Sequence, residues 1–371
     1  MIIYFSNRHV RVRNAQGQQV NKVFGDRFNA GNAEQLRMCI SEPQPDPAGD
    51  WPYRLIDAGG EAAELAAIRG RIRSGDLSRK WLVFLHGNNQ EFEDNVKKCQ
   101  ALHAQYGVNV IAFSWPSHPP VGSDELLRAA RELNFDAAFV ALLAANMSLV
   151  LGGVLYRKYA AYIQARANAY KSRIAFNRCL RLIRHELRDA LPASHKPELN
   201  FMSYSLGNYV LQTTVQEQRL QLEDGSGLFG NCIMCEADVD RDNHELWVAD
   251  YDYGERIYIT HNEYDIVLAS SDIYNKNRLG NTPLNLIMDM PVRYVDFTEG
   301  EHVGWTHALF SIRKNAHVQK FFQHVFNGED VFPNRSPAAA TGFKYLPEAN
   351  TYILRERVEF ISGPPDDTEE P

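Results

Sequence analysis

Cysteine is scarce in this chain: five residues in 371, namely Cys39, Cys99, Cys179, Cys232 and Cys235. So small and odd a set excludes a disulfide framework and leaves one Cys-x-x-Cys pair, Cys232 and Cys235, in a strand-like run. Positions three apart on a strand point to opposite faces. No second pair or histidine cluster accompanies these two, so no metal or redox centre is expected there. No pattern calls for an organic cofactor either. An excess of positive charge is also missing: the net charge of −7 argues against nucleic acid as the principal partner. No basic stretch followed by an apolar core opens the chain, where Met1 to Phe5 reads as a strand, and a reduced, cytoplasmic setting is expected. Internal repeats are absent. What the chain does have is apolar residues, 44% of the total, enough for a sizeable core.

Those apolar residues come as short runs rich in β-branched and aromatic side chains, alternating with helical stretches. Strands are read at 80–85, 108–113, 200–204, 231–235, 256–260 and 292–296. Helices are read over about 91–106, after Ser205, and over about 315–327. Continuous apolar strands separated by helices predict an α/β fold: a mostly parallel sheet covered on both faces. The runs at 2–6, 35–40 and 52–57 lack intervening helices and are expected as an antiparallel edge. One domain is assigned to residues 1–330, a C-terminal extension to 331–362, and a disordered acidic, proline-rich tail to 363–371.

The segment Asn200 to Asn208 combines a strand, a tight turn and a helix start around Ser205. Small residues at 203 and 207 let strand and helix approach, which sets the hydroxyl on a strained tip where a base can reach it, as in a nucleophile elbow. The common pattern is Gly-x-Ser-x-Gly, and Ser203 takes the place of the first glycine. A nucleophilic serine needs a base, an orienting acid and an oxyanion site. In open parallel sheets these collect at the carboxyl ends of strands. After the strand at 80–85 stands His86-Gly87-Asn88-Asn89, a turn able to aim the Asn88 amide at an oxyanion beside the amide of Leu206. After the strand at 256–260 comes Asp265, the chosen acid, with Glu263 and Asp240 as rivals and a helix N-cap as its ordinary use. After the strand at 292–296 lie His302 and His307. His307 is preferred as base for its apolar neighbours, and His302, in a glycine-flanked loop, is read as solvated. His86, Gly87, Asn89, Tyr204 and Trp115 are candidates to line the pocket.

The order Ser, Asp, His is that of α/β-hydrolases, and the chain resembles a bacterial branch of that superfamily with no known function. The resemblance rests on seven short motifs in the branch's order. They are Phe5-Ser6-Asn7-Arg8, His86-Gly87-Asn88-Asn89, Phe113-Ser114-Trp115-Pro116-Ser117, Tyr204-Ser205-Leu206-Gly207-Asn208, Ala237-Asp238-Val239-Asp240, Asp265-Ile266-Val267-Leu268 and His307. Two departures affect the pocket: Tyr204 stands where the branch has histidine, and Asn88 where an aromatic is common. The resemblance implies a serine hydrolase, here expected to act on a small-molecule carboxylic ester without a metal.

Residues 137–156 form a run of twenty without a charge. By length it could span a membrane. A single crossing, however, would split the sheet, and the segment 157–189 is too rich in arginine and lysine to cross back. Three readings stand for this part of a helical insertion at 119–165. It is a hairpin lid broken at Gly152-Gly153, a homo-oligomer interface, or a surface dipping into a membrane with the basic stretch on anionic headgroups. A lid or membrane-facing role would favour a lipophilic substrate and make a membrane-associated lipase or phospholipase the alternative. A non-catalytic interaction protein on the same fold is the alternative from another class.

Overall fold

Strand sequences such as Lys-Trp-Leu-Val-Phe-Leu (80–85) and Asn-Val-Ile-Ala-Phe-Ser (109–114) are buried at nearly every position. Such strands need cover on both faces. The structure is a computed structural model describing residues 1–11, 22–29, 32–43, 52–117, 153–218, 227–250, 254–272, 277–288, 291–333 and 342–356. Its strands are β1 (Ile2–Ser6), β2 (Arg8–Val10), β3 (Phe24–Phe28), β4 (Arg37–Ser41), β5 (Tyr53–Leu55), β6 (Lys80–Leu85) and β7 (Asn109–Ser114). There follow β8 (Glu198–Tyr204), β9 (Phe229–Cys235), β10 (Gly254–His261), β11 (Val292–Asp296), β12 (Phe343–Leu346) and β13 (Thr351–Leu354). Among the described residues eleven of these form one sheet in the order β12-β13-β11-β10-β9-β8-β6-β7-β1-β4-β5, and β2 pairs with β3. Every pairing from β13 through to β1 is parallel.

The α-helices among the described residues are α1 (Glu61–Ser74), α2 (Phe92–Tyr106), α3 (Gly153–Leu182), α4 (Gly207–Gln218), α5 (Ile266–Asp272) and α6 (Ala316–Phe326), with a short further α-helical turn at Glu245–Val248. Side chains alternate along each strand, so β6 sends Trp81, Val83 and Leu85 to one face and Leu82 and Phe84 to the other. The first face is covered by α1, α3 and α4, the second by α2 and α6. In α2 the buried positions Phe92, Val96, Cys99, Leu102 and Tyr106 recur every three or four residues, a stripe that fits a sheet. The helix ends at Gly107, whose φ of 66° places it in the left-handed region and whose N–H returns to the His103 carbonyl. This is the α/β-hydrolase fold read from the sequence.

Two elements differ from that reading. β1 runs parallel to β7, so the antiparallel edge begins only at β4. Residues within the C-terminal extension also supply β12 and β13, and β13 pairs with β11. Four-residue strands carry too little periodicity to be told from loop. What holds them is tertiary, notably Tyr352 stacked on Phe332 at a ring separation of 3.7 Å.

The apolar run from 137 to 152, and most of the 119–165 insertion, lie outside the described residues, as does the tail at 363–371. Among the described residues no helix is long and apolar enough to cross a membrane. The basic stretch in α3 is partly tied down: Arg173 pairs with Glu217 of α4, and Arg166 lies 4.6 Å over the Tyr209 ring.

Candidate active site

β8 runs between β6 and β9 and is followed directly by Ser205, whose φ of 52° lies in the left-handed region. That conformation costs a serine about 1–3 kcal/mol, so its surroundings must hold it. Three backbone bonds do so: Ser205 N–H donates to the Cys235 carbonyl at 3.0 Å, and its carbonyl accepts from Asn208 at 3.0 Å and Asp238 at 3.2 Å. The Asn208 side-chain amide adds bonds to the carbonyls of Ser203, Ser205 and Cys235. The Ser203 hydroxyl donates to Asn208 Oδ1 at 2.5 Å. A serine at 203 is therefore small enough for the elbow and also anchors it. At 207 only glycine fits, because a Cβ would sit 2.7 Å from the carbonyl oxygens of Leu85 and His86.

His307 reaches this turn from the loop after β11. Its Nε2 is 2.9 Å from Ser205 Oγ, and its Nδ1 is 2.5 Å from Asp265 Oδ2. A carboxylate only accepts, so Nδ1 carries the proton and Nε2 offers its lone pair to the serine hydroxyl. The two oxygens of Asp265 have separate partners. Oδ1 caps α5 by accepting from Val267 N at 2.9 Å and Leu268 N at 3.1 Å, while Oδ2 holds the imidazole. The two loops are joined by Asn262, whose side chain donates to the carbonyls of Gly304 and Thr306. The rivals go elsewhere: Asp240 pairs with Arg278 at 2.5 Å, Glu263 is exposed, and His302 is exposed with a φ of 60°.

The turn after β6 presses on the serine from the other side. A Cβ at Gly87 would lie 2.7 Å from Ser205 Cβ and 3.2 Å from its Oγ. The backbone approaching the hydroxyl there leads into Asn88, which is partly buried, and Asn89, which is exposed with a φ of 53°. Among the described residues the amides of Asn88 and Leu206 donate no bond to another protein group. His86 and Trp115, expected to line a pocket, instead form the wall behind this turn. Both are fully buried, with rings stacked at 5.4 Å and only 2° apart in plane. His86 Nδ1–H donates to the Gly87 carbonyl at 2.8 Å, its Nε2 accepts from Trp115 N at 3.1 Å, and the indole N–H donates to the His86 carbonyl at 3.0 Å. Burial, and then the Arg8 charge, hold the His86 pKa well below its ordinary range, so the ring is neutral. Tyr204 does reach the site, its ring 5.2 Å from that of His307.

A family model described as alpha/beta hydrolase of unknown function (DUF900) matches residues 61–293, well over half of the chain. The chain belongs to this family. Searches of curated proteins and of solved structures returned no match. The matched span of this alpha/beta hydrolase contains Ser205 and Asp265, and His307 lies just beyond it.

The electrostatics of the hydrolase site centre on His307. Burial pulls its pKa down, but the Asp265 hydrogen bond and the charges of Glu236, Asp265 and Asp238 outweigh burial, and the pKa stands above the ordinary value. Among the described residues no group of three or more His, Cys, Asp or Glu side chains is arranged to hold a metal. Cys232 and Cys235 are buried free thiols on β9.

Two neighbours of the site escaped the sequence reading of roles. Arg8 appeared only as a motif letter. Fully buried, it donates to Ser114 Oγ at 3.0 Å and to the Gln90 carbonyl at 2.7 Å, bracing the turn that carries Gly87. Burial pulls its pKa down to about 9. Glu236 was passed over although it follows β9 as Ser205 follows β8, and that placement was the available signal.

The close approach at Gly87 yields a test. Gly87→Ala is expected to retain the fold and to lose about 10²-fold in turnover, since an ångström of displacement at a reacting atom costs that much. Steady-state rates beside thermal unfolding check it. Turnover within about threefold of wild type would show that the turn does not constrain Ser205.

Proposed function

We propose that this hydrolase cleaves a carboxylic ester through an acyl-enzyme on Ser205. The hydrogen-bonded chain from Ser205 Oγ through His307 to Asp265 carries the reading. Ser205 Oγ attacks the acyl carbon as its proton passes to His307 Nε2. The amides of Leu206 and Asn88 receive the oxyanion, and Asp265 stabilises the imidazolium. Collapse expels the alcohol, which takes the proton from Nε2. Water, deprotonated by His307, then attacks the acyl-enzyme and releases the carboxylic acid, restoring the serine hydroxyl.

Exposed apolar side chains flank the base and the acid. Trp305, two residues before His307, is 72% exposed, and Tyr264, Ile266 and Val267 stand exposed around Asp265. This rim favours a lipophilic acyl or alcohol group over a charged one.

The test compares p-nitrophenyl esters of short and medium chain with the matching anilides, and adds a fluorophosphonate probe. A burst of nitrophenol stoichiometric with enzyme, faster turnover of the medium-chain ester, and probe attachment at Ser205 are expected. The acid limb of kcat/KM should have its midpoint above the ordinary histidine value of 6.5, because His307 must lose a proton that its hydrogen bond to Asp265 helps to retain. No burst and no labelling would end the serine-hydrolase reading, and anilides cleaved as fast as esters would end the ester assignment.

A further inference from the structure

Glu236 lies beside the Ser205–His307 pair and takes no part in the proton transfers above. It sits between the two residues that hold the Ser205 backbone, since Cys235 O accepts from Ser205 N and Asp238 N donates to Ser205 O. Its own carboxyl reaches the other way. Oε1 accepts from the N–H of Leu309, two residues past His307, at 2.9 Å, and the Cys235 thiol donates to Oε2 at 3.4 Å. The Glu236 N–H donates to Thr260 Oγ1 on β10 at 3.3 Å. The residue is fully buried, and its φ of 43° is one that a glutamate rarely adopts. The neighbouring chain closes tightly on it: a Cβ at Gly280 would lie 2.4 Å from the Glu236 carbonyl carbon. An out-of-range backbone and a buried carboxyl therefore coincide at a point that touches both the nucleophile's turn and the base's loop.

We propose that Glu236 is a positioning residue for the hydrolysis, its carboxyl clasping the His307 segment to the strand end that holds Ser205. The inference rests on the serine-hydrolase reading and deepens it. A backbone carbonyl could accept from Leu309 equally well, but a carboxyl can also change charge beside the imidazole. The titratable groups facing it are His307 and Asp265 from the loops, Cys235 on β9 and Tyr204 on β8, and Asp238 also acts on His307. Burial pushes the Glu236 pKa up to about 8, with His307 opposing the rise. The carboxyl therefore carries its proton at neutral pH and loses it as pH rises past that value. The resulting negative charge favours the imidazolium formed in the transition state, so the rate gains a second step on the alkaline side.

The experiment measures fluorophosphonate labelling and p-nitrophenyl ester turnover from about pH 6 to about pH 10 for wild type, Glu236→Ala, Glu236→Gln and Ser205→Ala. Glu236→Ala, without the clasp, should label about 10- to 100-fold more slowly. Glu236→Gln keeps an acceptor for Leu309 and should come within about threefold of wild type at pH 7. It should lack the second step, which in wild type is a roughly two- to tenfold rise centred near pH 8. A purely structural contact would not produce that difference in profile. If Glu236→Ala does not fold, Glu236→Gln decides alone. A profile matching wild type overturns the proposal, and so does a pH 7 rate as low as about a hundredth of wild type. A wild type that labels at Ser205 while both variants match it in rate and profile overturns this proposal only. A wild type that does not label overturns both readings.

Discussion

Ser205→Ala is expected to lower ester turnover by about 10⁶-fold, the scale seen when a nucleophile acting as part of a unit is removed. The loss should fall on kcat with little change in KM, because the hydroxyl forms a bond to substrate only along the reaction path. The fold should survive. Ser205 is almost fully buried, and its Oγ has one described partner, His307 Nε2. An alanine methyl fits the same space, and the backbone bonds to Cys235, Asn208 and Asp238 that hold the left-handed turn do not involve the side chain. Unfolding should therefore shift by about 1 kcal/mol or less, the worth of one hydrogen bond. Residual turnover of about 10³-fold over water is expected from the oxyanion donors and binding alone. The measurement is single-turnover burst kinetics with mass detection of the acyl-enzyme. A variant keeping more than about a hundredth of wild-type turnover would mean that another group carries the acyl chain.

Asp265→Asn should cost about 10⁴-fold, and the reason lies in which oxygen is already engaged. Oδ1 accepts from the amides of Val267 and Leu268. An asparagine must keep its carbonyl oxygen there, because the opposite flip would set an NH₂ group against two N–H donors. The NH₂ then faces His307 Nδ1, which has to become an acceptor and leave its proton on Nε2, pointing at Ser205. In that tautomer the imidazole cannot take the serine proton. Since the helix cap is retained, stability should change by no more than about 1 kcal/mol, the value of a cap. Asp265→Ala should lose the cap as well as the activity. Rates and urea unfolding of the two variants separate these roles. An Asp265→Asn enzyme within about tenfold of wild type would assign the orienting task to another carboxyl, with Glu236 the nearest in influence on His307.

Much of this arrangement was legible along the chain, and the reasons are local. Largely apolar runs at 80–85, 108–113 and 200–204 announce strands buried on both faces, and the turn residues that follow them mark where a site would collect. The elbow could be read from the sizes of Ser203 and Gly207. The parts that were illegible depend on partners distant in sequence. Arg8 braces a turn about eighty residues later, through the Gln90 carbonyl. β13 is a strand because β11 is beside it. His86 and Trp115 carry the composition of a pocket yet are buried against each other, and nothing within either segment signals that pairing.

The chain alone, then, determines the alternation of strands and helices and the candidates at the carboxyl ends of strands, because hydrophobic period and turn chemistry act over a few residues. Which oxygen of Asp265 caps a helix and which holds His307, and that Glu236 meets Leu309 behind them, was decided only by the tertiary structure. Those contacts form between segments brought together by neighbouring strands, where hydrogen-bond geometry and burial select among groups that look equivalent in the linear chain.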